Sequence, residues 1–196
     1  IGACILGYAD PDVDNAVIKS IQKGVMNTLN APEELELAEL LIKIHPWAQM
    51  VRYTRTGGEA MSVAVRIARS YSGKDKVLFC GYHGWHDWYL SSNLVQKDAL
   101  QGHLLTGLSP TGIPDGLNGV SFPFHYNNTE QFLELVTKHH RQIGAVVLES
   151  VRNFDPTPEF LRTIRETCTN QNIPLVVDEI SAGFRNTIGG AHLIIG

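Results

Sequence analysis

Only three cysteines occur in the 196 residues, at positions 4, 80 and 168, and no two form a Cys-x-x-Cys pair. Such spacing excludes a disulfide framework and a cysteine zinc site, and it fits a reducing, cytoplasmic compartment. Long apolar runs are missing. No stretch approaches the roughly 20 residues needed to cross a bilayer. Basic clusters are missing too: sixteen Lys and Arg stand against twenty Asp and Glu, a net charge of −4. That balance argues against non-specific nucleic-acid binding. The chain opens at Ile1 without a Met or a leader-like start and stops at Gly196 after an apolar run, so both ends read as cut. Lysine is absent from the whole chain after Lys138.

What is present is an ordinary globular composition, 43% hydrophobic and 18% charged, of about one domain's length. Two amphipathic helices are expected first. Val13, Ala16, Val17 and Ile21 keep helical spacing behind Pro11, with Gly24 as the stop. After Asn30-Ala31-Pro32, a second stripe of Leu37, Leu40, Leu41 and Ile44 ends near Pro46. Both stripes read as packing faces.

From residue 50 the pattern changes. Short runs rich in β-branched and aromatic residues predict strands at Met50–Thr54, Lys76–Cys80, Val120–Phe124, Ala145–Leu148 and Leu175–Val177. They alternate with helices expected over Glu59–Tyr71, Thr129–Arg141 and Pro158–Asn170, the last with Thr157 as N-cap and Pro158 at its first position. This alternation predicts an α/β fold, a mainly parallel sheet with helices on both faces. The Gly- and Pro-rich connection over residues 102–119 is long enough to suggest a functional loop.

Open parallel sheets bind ligands beyond the carboxyl ends of their strands, and each such end here carries something unusual. Thr56-Gly57-Gly58-Glu59-Ala60 leads into a helix, where free N–H groups and the helix dipole suit a phosphate. It is neither a Walker loop nor Gly-x-Gly-x-x-Gly; a plain tight turn is the alternative. Cys80-Gly81-Tyr82-His83-Gly84-Trp85-His86-Asp87-Trp88 offers an aromatic platform for a flat ligand. His83, His86 and Asp87 lack a clear further metal partner, and Trp85 and Trp88 read equally well as core residues. Glu149 and Asp178 are acids placed directly after apolar strands, where burial is costly without a cation or hydrogen-bond partner. For Asp178 the alternatives are a helix cap or an ion pair with Arg185. A phosphate cradle, a ring platform and an acid on one sheet edge match what pyridoxal phosphate needs.

In order and spacing, these motifs resemble the class III aminotransferases among the fold-type I pyridoxal-phosphate enzymes. Within that family the glutamate-1-semialdehyde 2,1-aminomutases and their relatives are most similar. Gly7-Tyr8-Ala9-Asp10-Pro11, Ala31-Pro32-Glu33-Glu34, Thr56-Gly57-Gly58-Glu59-Ala60, Tyr82-His83-Gly84 and Asp178-Glu179-Ile180 carry the resemblance. It implies that Gly57 and Gly58 hold the cofactor phosphate, with Thr56 adding its hydroxyl. Tyr82 and Ile180 would flank the ring, Asp178 would bond the pyridine nitrogen, and Glu149 would sit close by. Small-molecule amino donors and acceptors and a homodimer are implied as well, with no nucleic acid, membrane or metal involved. Residues 1–32 would be an N-terminal segment and 33–196 an incomplete cofactor-binding domain.

The chain departs from the family pattern at several points. Gly58 replaces a Ser or Thr, Arg55 replaces Asn, Ser150 replaces Pro, and Asn153 falls one position early, with Phe154 in the expected place. The family's cofactor-linking lysine follows Asp178 and is absent here, so no catalytic residue is assigned. The rival readings are a nucleotide or nucleotide-sugar binding module and a non-catalytic descendant of the family.

Overall fold

The computed structural model describes residues 4–26, 28–101, 103, 111–151 and 155–195. The loop expected over 102–119 is therefore described only in part, and Asn153 and Phe154 lie outside the described residues. Helix α1 spans Pro11–Lys23, capped by the Asp10 carboxylate and stopped at Gly24, and α2 spans Pro32–Ile44. Neither buries a residue fully: Val13, Val17 and Ile21 of α1 are about half exposed, whereas Leu41 and Ile44 at the end of α2 are part-buried, Ile44 beside Gly189.

The predicted strand at Met50–Thr54 does not form. Its β-branched and aromatic content is real, but no neighbouring strand pairs with it, and Met50 is 87% exposed. The segment runs extended into α3 (Gly57–Ser72), longer by two residues than expected at its start. The Thr56 hydroxyl caps the Glu59 N–H there, and the Glu59 carboxylate turns back to the Thr56 N–H.

Next come β1 (Lys76–Cys80), the short helices α4 (Asp87–Leu90) and α5 (Ser92–Val95), and β2 (Ser121–Pro123). Then follow α6 (Thr129–Lys138), β3 (Ile143–Glu149), α7 (Pro158–Asn170), β4 (Leu175–Asp178) and α8 (His192–Ile195). Among the described residues the four strands are all parallel, in the order β2-β1-β3-β4. Pro123 is tolerated because β2 is an edge strand. Alternation along the strands sorts two cores. Val77, Phe79, Ala145 and Val147 meet Met61, Val65 and Ala68 of α3; Leu78, Cys80, Val146 and Leu148 meet Phe132 and Val136 of α6 and Phe160 and Ile164 of α7. Helices therefore cover both faces, as the fold class predicts.

One polar cluster at the sheet's other end makes stability pH-dependent. His139, just past α6, stacks on Phe122 with 4.1 Å between centroids. Its Nδ1 accepts from the Lys76 ammonium at 3.0 Å. Burial first, then the Lys76 and Lys138 charges, hold the imidazole below its ordinary value of 6.5. The unfolded chain thus binds a proton more readily than the folded one. This contribution is present above pH 6.5 and lost as pH falls from there through the folded-state value. His139→Phe keeps the stack and removes the titration. The drop in denaturation midpoint between about pH 7.5 and about pH 5.5 is expected to narrow in that variant; an unchanged drop would contradict the assignment.

Candidate functional site

Strand order decides where a ligand can enter. From β1 the chain goes to β2 on one side, and β3 and β4 then add on the other. The two directions part between β1 and β3, so a crevice opens at their carboxyl ends. A cavity of about 440 Å³ lies there. Thr56, Gly57, Gly58, Tyr82, Glu149, Asp178 and Ile180 all line it, joined by Gly84, Trp85, His86 and Ser181. Larger hollows of about 660 and 740 Å³ exist elsewhere, the second reaching Ile180 from the side of Trp47 and His192. Neither includes the free end of α3.

That end is a cradle of donors. The Gly57 and Gly58 N–H groups open a 16-residue helix, where no carbonyl can reach them, and they have no partner among the described residues. The Thr56 oxygen accepts from Glu59 at 3.2 Å, leaving its O–H free to donate. The helix dipole adds to their pull on an anion.

Tyr82 is placed by an acid. The Glu149 carboxylate ends β3 and accepts the Tyr82 N–H at 3.0 Å. Gly81 (φ +116°) makes this approach possible, since a Cβ there would collide with the Glu149 carboxylate. The Tyr82 ring packs edge-on against Tyr89, whose hydroxyl donates to the Gly81 carbonyl.

Asp178 ends β4 beside Glu149 in register and is 5% exposed. One of its oxygens accepts the Ile180 N–H at 3.0 Å; the other lies 2.8 Å from His83 Nδ1. The other ring nitrogen of His83, Nε2, donates to the Cys80 carbonyl at 3.1 Å. A carbonyl only accepts, so Nε2 carries a hydrogen, and one further proton sits between Nδ1 and Asp178. Neither a helix cap nor Arg185 accounts for the buried acid. His83 does. Sequence reading missed this partner, which lies 95 residues away, and the bond also takes both His83 nitrogens out of any metal site. Trp88 is core at 7% exposure, stacked beside His83, whereas Trp85 is 54% exposed at the cavity and is not a core residue.

A parallel α/β sheet with this crevice is the large-domain architecture of the fold-type I pyridoxal-phosphate transaminases. A solved transaminase with pyridoxal phosphate bound matches with a TM-score of 0.86 at 27% identity, over 100% of this chain and 46% of that one. The sequence profile of the aminotransferase class-III family matches residues 1–191, and the chain belongs to that family. Among curated relatives, a glutamate-1-semialdehyde 2,1-aminomutase of Methanopyrus kandleri is 36% identical over 97% of this chain. A 3-aminobutyryl-CoA aminotransferase of Cloacimonas acidaminovorans is 30% identical over 100% of it. The chain spans 45% of the length of each of these two relatives.

The geometry suits pyridoxal phosphate. Two unpartnered N–H groups and a hydroxyl can take a phosphate. Tyr82 and Ile180 border the space for a flat ring, and Asp178 retains lone pairs for a pyridinium N–H.

Proposed function

We propose that this chain is the cofactor-binding part of a pyridoxal-phosphate enzyme that moves an amino group, as an aminotransferase or an intramolecular aminomutase. The observation that carries the reading is the convergence of Asp178, Tyr82 and the free Gly57 and Gly58 N–H groups on one cavity. When bound, pyridoxal phosphate supplies an electron-withdrawing ring that stabilises negative charge on the substrate carbon bearing the amino group. The residues around it have separable tasks. Gly57, Gly58 and Thr56 anchor the phosphate. Tyr82 covers one ring face and Ile180 the other. Asp178, oriented by His83, keeps a proton on the pyridine nitrogen and so preserves the ring's pull on electrons. Glu149 holds the Tyr82 backbone in place.

The substrates of this reading are small amino acids, amino aldehydes or ketones, and the assembly is a homodimer in the cytoplasm. Residues 33–196 form the cofactor-binding unit, with 1–32 as an N-terminal segment. Contacts across the chain support that unit: the His45 ring bridges the Leu41 and Gly189 carbonyls, and Trp47 donates to His192. Among the described residues no helix is long and apolar enough to cross a membrane.

The base that moves the substrate proton is a lysine supplied from outside these 196 residues. Lys97 is exposed, and no lysine lines the cavity. Incubation of the 196-residue chain with pyridoxal phosphate, followed by borohydride reduction and peptide mapping, should give no unique labelled lysine and no amino transfer. A single label on Lys97 accompanied by transfer would place the chemistry elsewhere.

A further inference from the structure

Gly58 has an unusual neighbour. A Cβ built on it would lie 2.5 Å from His86 Nε2 and 2.7 Å from His86 Cδ2. The imidazole therefore fills the space that a side chain at position 58 would occupy, directly beside the free N–H groups of the first turn of α3. His86 is half-buried and lines the cavity with them. It is also uncommitted: it precedes α4 without a side-chain capping bond, and neither ring nitrogen has a partner among the described residues. An idle imidazole at a helix start that can hold an anion needs a reason.

We propose that His86 is a phosphate-binding residue, donating Nε2–H to the cofactor phosphate in the place where residue 58 has no side chain to offer. This rests on the pyridoxal-phosphate reading of the site and deepens it. The arrangement is reciprocal. Gly58 must lack a side chain for His86 to approach, and His86 supplies the side-chain donor that Gly58 lacks. The turn that brings it there is fixed by Gly84 (φ +91°), whose own added Cβ would stand 2.7 Å from Gly58 Cα.

The test compares two probes on the complete holoenzyme stripped of cofactor. Dissociation constants are measured by absorbance for pyridoxal phosphate and for pyridoxal, which lacks the phosphate. His86→Ala is expected to weaken pyridoxal phosphate binding about tenfold to a hundredfold, the range for one hydrogen bond to a charged group, and to leave pyridoxal unchanged. Gly58→Ser alone should weaken the phosphate form by colliding with the imidazole. In the His86→Ala background the same substitution should recover affinity, because the serine hydroxyl then has the space. Unchanged affinity in His86→Ala would overturn the proposal, as would equal losses for both probes or failure of the serine to rescue. Failure of the unsubstituted protein to bind pyridoxal phosphate would instead overturn the reading of the whole site.

Discussion

Asp178→Ala in the complete enzyme is expected to cut turnover by about a hundredfold to a thousandfold, the scale of losing one preorganised electrostatic group. Cofactor should still bind through its phosphate, because the donors at the start of α3 do not touch Asp178. The substitution removes the pairing with His83 and, on the proposed reading, the carboxylate that would hold a proton on the pyridine nitrogen. His83→Ala should therefore reproduce part of the loss while leaving the carboxylate in place. The measurement is single-turnover kinetics on cofactor-saturated enzyme. Undiminished turnover in Asp178→Ala would remove this residue from the site.

The second large effect is on stability. Gly84 holds a positive φ of +91°, and its Cβ would stand 2.7 Å from the Gly58 Cα, a backbone atom that cannot swing away. Gly84→Ala therefore combines backbone strain with overpacking, about 2–5 kcal/mol in all. Gly73 is the control. It also has a positive φ, +65°, but open space around it, so Gly73→Ala should cost only about 1–2 kcal/mol. Denaturant midpoints compare the two. Equal losses would mean that the Tyr82–Gly84 turn does not press on α3, and the cavity would need a different wall.

Legibility in the sequence followed the range of the interactions. Pro158–Asn170 was readable to the residue because its cap, its proline and its apolar face all lie within the segment. Met50–Thr54 was misread because strand composition is a local signal, whereas strand formation needs a neighbour that composition does not reveal. All seven expected site residues border one cavity, since each stands at a strand end or a helix start, places that local patterns mark. His83 was not recognisable as the partner of Asp178. Nothing near residue 83 announces an acid 95 positions later. His86 was invisible in its present position for a related reason: its nearness to Gly58 depends on how one turn folds over another helix.

The strand order also governs how the chain can be made. β1 lies in the middle of the sheet, yet its first partner β2 begins 45 residues after β1 starts and its second, β3, 67 residues after, so Val77–Cys80 leave the ribosome with nothing to pair with. At about 5–20 residues per second, that apolar segment waits roughly 2–9 s for β2 and roughly 3–13 s for β3 to be synthesised. Until β2 arrives a nascent chain presents an unpaired, nearly charge-free strand, and until β3 arrives one edge of it stays open, the kind of surface that chaperones bind. Ribosome pausing between residues 81 and 142 would lengthen the exposure, and codon choice across that stretch thus becomes a determinant of yield.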